Sequence, residues 1–461
     1  MIDSPPADAS AVEHPPGFRA RRGQNWVFLG LMYGFFYMSR YNLAAVQQAL
    51  KEAFGWSHTQ YTSVAGVGLT VYGLSVFLNG PLADKIGGKR AILIGSAGAA
   101  LFNLAFGFTH LYLIHAAKMS GGNVVTAAQL ANHMTATSVI SMMAVLWAGN
   151  HYFQSFGALS IVKINAAWFH VRERGKFAGI FGIMIQSGRM FAFYGAPLIL
   201  RKFPWWWAFW IPAAILAVMF VINFLLVAST PEDVGYDFHT ADETKEEAAQ
   251  PATIGFILKK VFASPAMWTI AFSSMCIGMV RNSVDQFWTG YYASVFHVAS
   301  ADTTKHLSYN VISFGTPVAA VLGGIVAGNL SDRVFGSRRA PVIFFAFVGM
   351  AAMLTVFKLV GGGPLFCAWM MVLVSFFVQS AHSMVGGAAS MDFGGKKAAA
   401  TAAGLFDGAQ YVAGAIVAQT LGRVIDAYGW NAWGVTQIPF AIAGAGLIAI
   451  IWNARPGKPA H

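Results

Sequence analysis

Apolar blocks about 20 residues long recur along this chain, and each is long enough to cross a hydrocarbon layer of about 30 Å as an α-helix. Inside lipid every backbone polar group needs an internal partner, and continuous apolar runs of this length satisfy that as helices. Twelve spans are expected, near residues 25–46, 60–83, 91–114, 136–160, 174–200, 204–229, 266–295, 308–330, 340–360, 364–390, 399–424 and 430–453. Only 11% of the residues are charged, against about 25% in soluble domains. The fold class is therefore an all-α membrane protein.

The net charge of +11 follows the loops. Those after spans two, four, eight and ten hold Lys85, Lys89 and Arg90; Arg172, Arg174 and Lys176; Arg333, Arg338 and Arg339; Lys396 and Lys397. The alternate loops are poorer in cations, with Lys51, Lys118, Arg201 and Lys202 as exceptions. The positive-inside rule then places both termini in the cytoplasm, so the basic balance is topological and implies no nucleic-acid partner. Residues 1–24 read as a polar tail without a cleavable signal pattern. Residues 230–264 are a long polar linker dividing a bundle at 25–229 from one at 265–454, with a short tail at 455–461. Residues 118–133 read as an external insertion. Cys276 and Cys367 both lie in apolar segments, so neither a disulfide framework, a metal cluster nor a cofactor is expected. A bilayer and a small anion are the expected partners, with the monomer as the working unit and a bacterial plasma membrane as the location.

The first span carries one full charge, Arg40, set well inside it. A central arginine costs roughly 2.5 to 3.5 kcal/mol to insert, and such residues face a bundle interior or mark a substrate path. Tyr33, Tyr37 and Arg40 follow at helical spacing and share one face. Snorkelling to the interface is the simpler account of one such residue. A second arginine, Arg281, lies at matching depth in the seventh span, and two inward guanidinium groups at one level form an anion site, because the fork matches phosphate or carboxylate oxygens. Asp285, four residues after Arg281, either neutralises it within the helix or belongs to the site as a charge partner.

A signature recurs in the two halves. GPLADKIGGKR at residues 80–90 and GNLSDRVFGSRR at residues 328–339 both read G-x-L-[AS]-D-[KR] followed by a basic cluster. Gly80, Asp84, Arg90, Gly328, Asp332 and Arg333 are thereby expected to form gating turns, with the small residues allowing close helix approach and the aspartates either accepting from a neighbouring helix N-terminus or pairing with the basic loop.

This duplicated motif resembles the inter-helix loop of the major facilitator superfamily. The resemblance implies 12 transmembrane helices in two pseudo-symmetric six-helix bundles around a cavity that opens alternately to each side. FYMSRYNLAA (36–45), AAWFHVRERG (166–175), TPEDVG (230–235) and KKAAATAAGLFDGAQYVAGA (396–415) further resemble the organophosphate:phosphate antiporters. That resemblance implies phosphate binding by Arg40 and Arg281, with Tyr33, Tyr37 and Tyr72 beside them. Val76, Ile185 and Pro317 stand where the glycerol-3-phosphate type has a lysine, a histidine and a glutamate, so the ester is left open. Gln186, His382 and Asp407 are candidates for reading its organic part, and Arg189 is read as structural, either pairing with an acid between helices or reaching the external interface. The expected function is exchange of a phosphate ester for inorganic phosphate. Proton-coupled symport of an organic anion and a non-transporting sugar-phosphate receptor are the alternatives, and no constellation typical of an enzyme is seen.

Overall fold

A computed structural model describes residues 14–112, 115, 136–169, 171–236, 263–336 and 338–453. The first half contains α1 (Phe18–Ala45), the short α2 (Gln47–Phe54), α3 (His58–Ile86), α4 (Gly88–Gly107), α5 (Ala136–Trp168), α6 (Val171–Leu200) and α7 (Trp207–Leu226). The second contains α8 (Pro265–Val295), α9 (Leu307–Arg333), α10 (Arg339–Val360), α11 (Pro364–Ser383), α12 (Ser390–Tyr428) and α13 (Ile438–Ile450). Setting α2 aside, these are the twelve expected spans, six to a half. In the first half α5 packs against α3 and α4, α7 against α4, and α1 against α6 and α7. In the second, α11 packs against α9 and α10, and α13 against α8 and α10. The halves meet where α3 lies along α12, α6 along α9, and α1 beside α8.

Among the described residues seven helices are long and apolar enough by composition alone to cross a membrane. The five long helices outside that group are α1, α3, α5, α8 and α12. They carry buried polar side chains, and they supply most of the central site described below. Polar residues are tolerated in such helices only where they find partners inside the bundle.

Glycines set the closest crossings. A Cβ on Gly188 of α6 would lie 1.7 Å from the carbonyl oxygen of Gly34 on α1, and one on Gly278 of α8 would lie 2.3 Å from that of Gln410 on α12. The motif glycines divide. A Cβ on Gly80 or Gly328 would meet open space, whereas one on Gly88, in the first motif, would lie 2.6 Å from Ile164 Cγ1 and 3.1 Å from the Ser160 carbonyl oxygen, so the expected close approach is made at that turn by Gly88 against α5.

Two boundaries depart from the sequence reading. Helix α1 begins at Phe18, so the basic run of the tail is helical, with Arg22 over the Phe18 and Phe169 rings and Arg21 over Trp168. The backbone of 391–398 is helical where a loop was expected, in keeping with the high helix propensity of the alanine-rich run that follows Lys397. Trp205, between α6 and α7, is buried and packs on Phe54 and Phe209. The insertion at 118–133, most of the linker and both tail ends lie outside the described residues.

One end of the assembly is sealed by contacts between the halves. The Asp426 carboxylate at the end of α12 accepts from the backbone N–H of His58 and of Thr59 at 3.0 and 2.8 Å, from the Thr59 hydroxyl at 2.7 Å, and pairs with His58 Nδ1 at 2.9 Å. A side chain of one half thus caps the first turn of a helix in the other. Arg201, after α6, donates to Ala301 O and Thr304 Oγ1, and Thr289 Oγ1 donates to Ala44 O.

Candidate anion site between the two halves

Arg40 is buried at 3% exposure, and its guanidinium points between the halves. Its Nε and Nη2 both donate to Gln154 Oε1 at 3.3 Å, while its face lies over the Tyr37 ring at 4.7 Å and the Tyr72 ring at 4.4 Å. The Gln154 amide is itself fixed, donating to Ser39 Oγ at 2.8 Å. Behind it runs a ladder of amides. Asn103 donates to Asn150 Oδ1 at 2.9 Å, Asn42 to Asn103 Oδ1 at 2.8 Å, and Asn150 to Ser39 O at 3.2 Å. Interhelical bonds of this kind contribute about 0.6 to 2 kcal/mol each inside a membrane protein, enough together to hold Arg40 in one orientation.

Arg281 stands opposite. Its Nη1 donates to Gln410 Oε1 at 3.2 Å and lies 3.5 Å from His382 Nδ1, which is itself 2.9 Å from the same Gln410 oxygen. Its Nε is 3.9 Å from Asp285 Oδ2. Asp285 also forms a buried ion pair with Arg189 of α6, in the other half. The expected structural pairing of Arg189 with an acid is therefore present, and the acid is the one that sequence spacing places beside Arg281.

The two arginines converge. Arg40 Nη1 and Arg281 Nη2 each donate to the hydroxyl oxygen of Tyr411, both at 3.4 Å. Two guanidinium nitrogens, one from each half, thus lie within twice that distance of one another across a single phenol oxygen. The Tyr411 ring leans on Tyr72, with centroids 4.3 Å apart. Neither arginine snorkels.

The remaining candidates take varied positions. Tyr72 and Tyr37 touch Arg40 directly, whereas Tyr33 sits edge-on to Tyr37 at 5.3 Å, one layer removed. His382 belongs to the Arg281 group. Asp407 lies on α12 one turn before Gln410 and Tyr411 and is half-buried. Gln186 of α6 is also half-buried, and its side-chain oxygen is without a hydrogen-bond partner. At the motif turns Asp332 accepts from Arg339 at 2.7 Å, while Arg90 and Arg333 are exposed. The Asp84 side chain is outside the described residues.

Sequence reading did not single out Gln154, Gln410 or Tyr411. A signal was present: Asp407, Gln410 and Tyr411 follow at i, i+3 and i+4, and Asn150 and Gln154 at i and i+4, so each set shares a helix face.

The described geometry agrees with what the chain resembles. The Major Facilitator Superfamily profile matches residues 29–418. A glycerol-3-phosphate transporter of Bacillus subtilis (strain 168) is 27% identical over 455 residues, spanning 94% of this chain and 93% of the relative. A probable hexose phosphate transport protein of Chlamydia trachomatis is 24% identical over 93% of this chain and 90% of its own. A membrane sensor protein, UhpC, of Escherichia coli (strain K12) is 22% identical over 99% and 98%. Among solved structures, an inward-facing bacterial homologue of the human lysosomal transporter Spinster superposes with a TM-score of 0.71 at 14% identity, covering 95% of this chain and 97% of that one. The relatives' names agree with the motif resemblance to organophosphate carriers. This chain belongs to the Major Facilitator Superfamily.

Proposed function

We propose that the protein exchanges an organic phosphate ester, of the glycerol-3-phosphate or sugar-phosphate class, for inorganic phosphate by alternating access. The observation that carries this reading is the convergence of Arg40 and Arg281 on the Tyr411 oxygen. Two cations about 8 Å apart repel by about 2 kcal/mol at an effective dielectric near 20, and a phosphate dianion between them reverses the sign. The loaded cavity closes readily and the empty one does not, so inward and outward trips are coupled. The anion supplies the differential affinity that a ligand-driven change of state requires. Tyr37 and Tyr72, whose rings lie on Arg40, flank the phosphate, while Tyr33, Tyr72, Gln186, His382 and Asp407 read the ester's organic part.

Loop charge supports cytoplasmic termini in a bacterial plasma membrane. The sealed end bearing Asp426 and Arg201 then faces outward. The motif turns around Asp84 and Asp332 gate the cytoplasmic side of a monomer whose bundles, residues 25–229 and 265–454, are joined by the 230–264 linker.

The test is uptake of labelled phosphate into proteoliposomes preloaded with a panel of phosphate esters, with the pH gradient collapsed. Exchange that persists supports antiport, and accumulation that vanishes points to a proton symporter working through Asp285, His382 or Asp407. The sensor-named relative, matched over 99% of this chain, favours one second reading, a receptor for sugar phosphates. Ester binding without flux would select it.

A further inference from the structure

Asp285 is shared between two arginines that belong to different halves. Its Oδ1 is held by Arg189, across the boundary, in an ion pair with both side chains only 4% exposed. Its Oδ2 faces Arg281 Nε at 3.9 Å, too far for a hydrogen bond, and accepts from the Tyr41 hydroxyl at 3.4 Å. Arg281 Nε is a buried donor with no hydrogen-bond partner. Its other two nitrogens are committed to Gln410, His382 and Tyr411. A short movement of the carboxylate would satisfy that donor, yet Arg189, braced against the Tyr41 and Phe193 rings at 5.4 and 5.8 Å, draws it the other way.

We propose that Arg189 is a positioning residue that sets the anion affinity of Arg281 by holding Asp285, and that this hold depends on which side of the protein is open. The inference rests on the exchange function proposed above and specifies how its binding site is regulated. While α6 and α8 stay together, Asp285 belongs to Arg189, and the Arg281 fork, held only by the neutral groups Gln410, His382 and Tyr411, can exchange them for phosphate. When the halves part at the sealed end, the cross-boundary pair separates, and Asp285 closes on Arg281 Nε within its own helix. An intramolecular carboxylate then competes with the bound anion, so phosphate is held more weakly from that side and is discharged there. Arg189 never touches the substrate. It acts through the carboxylate.

The experiment measures phosphate KM and maximal exchange rate for the purified full chain in proteoliposomes of both orientations. Arg189→Gln frees Asp285 in every state and is expected to raise KM on the order of tenfold, with a smaller change in maximal rate. The difference between the two faces is expected to vanish already in that variant, and adding Asp285→Asn removes the competitor and is expected to restore a low KM at both faces. If Arg189 only pinned the halves together, the double variant would be no better than the single one, and that result would overturn the proposal. Detergent-solubilised thermal unfolding confirms that each variant is folded. Wild-type protein without phosphate exchange would instead remove the proposed function. Wild-type exchange with an unchanged KM in Arg189→Gln would remove this inference alone.

Discussion

The two arginines lie at matching depth in repeated halves, but their surroundings differ in kind. Arg40 is held by neutral groups: one amide oxygen, two aromatic faces and a phenol. Among the described residues its ion-pair partners number none, whereas Arg281 has a carboxylate, an imidazole and an amide within reach. Structural repetition has therefore supplied two cations without giving them one job. Under the proposed exchange Arg40 is the fixed member, held by neutral groups alone and open to an anion. Under the same proposal Arg281 is the adjustable member, with the Asp285 carboxylate 3.9 Å from its Nε.

The sharpest way to break that contrast is to change the fork itself. Arg40→Lys keeps the charge but loses planar, bidentate donation, and exchange should fall on the order of 100-fold, read as initial rate of phosphate counterflow. The same change at Arg281 should cost less, roughly tenfold, because Asp285 already offsets part of that charge. Equal losses would show that the neutral and charged surroundings do not matter. Gln154→Glu gives Arg40 a carboxylate of its own and makes the two sites alike. Phosphate binding by calorimetry should weaken several-fold, by the same internal competition, whereas Gln154→Leu should mainly misplace the guanidinium and lower thermal stability.

The smallest effects belong to the sealed end, where the asymmetry is again between backbone donors on one half and a carboxylate on the other. Asp426→Asn should cost about 1 kcal/mol in detergent unfolding, the usual scale of a helix cap. Hydrogen bonds from Thr59 and His58 outweigh burial and lower the Asp426 pKa to about 2. Its contribution is thus complete above the ordinary carboxylate value of about 4 and is lost as pH falls from there toward about 2. The latch stays shut through the physiological range. Lys51, beside His58, is pushed down to about 8 by burial, so the folded state gains stability as pH rises from about 8 toward the unperturbed 10.5. Lys51→Met should abolish that rise in a pH series of melting temperatures.

Much of this was legible in the sequence. Span count, the two halves and the depth of Arg40 and Arg281 follow from runs of apolar residues broken by single charges, which the cost of a charge in lipid makes conspicuous. Gln154 and Gln410 were not conspicuous, because an uncharged amide costs little and its partner lies on another helix, 114 residues from Arg40 and 129 from Arg281. The role of Asp285 was half-visible for the same reason. Its local partner is four residues away, but its stronger one, Arg189, is 96 residues away and in the opposite half. The loop expected before the eleventh span failed because lysines and glycines suggested a break where an alanine-rich run favours helix.

The crossing of Gly34 and Gly188 has a practical corollary. With 1.7 Å between a would-be methyl carbon and the facing carbonyl oxygen, this contact works as a bearing that admits no shim. Substituting alanine for helix glycines is a common route to heat-resistant variants for crystallography. At Gly80, Gly195 or Gly328, where nothing stands in the way, it should toughen the protein, but at this fulcrum the same swap would wedge α1 away from α6 and carry Arg40 out of register with its counterpart.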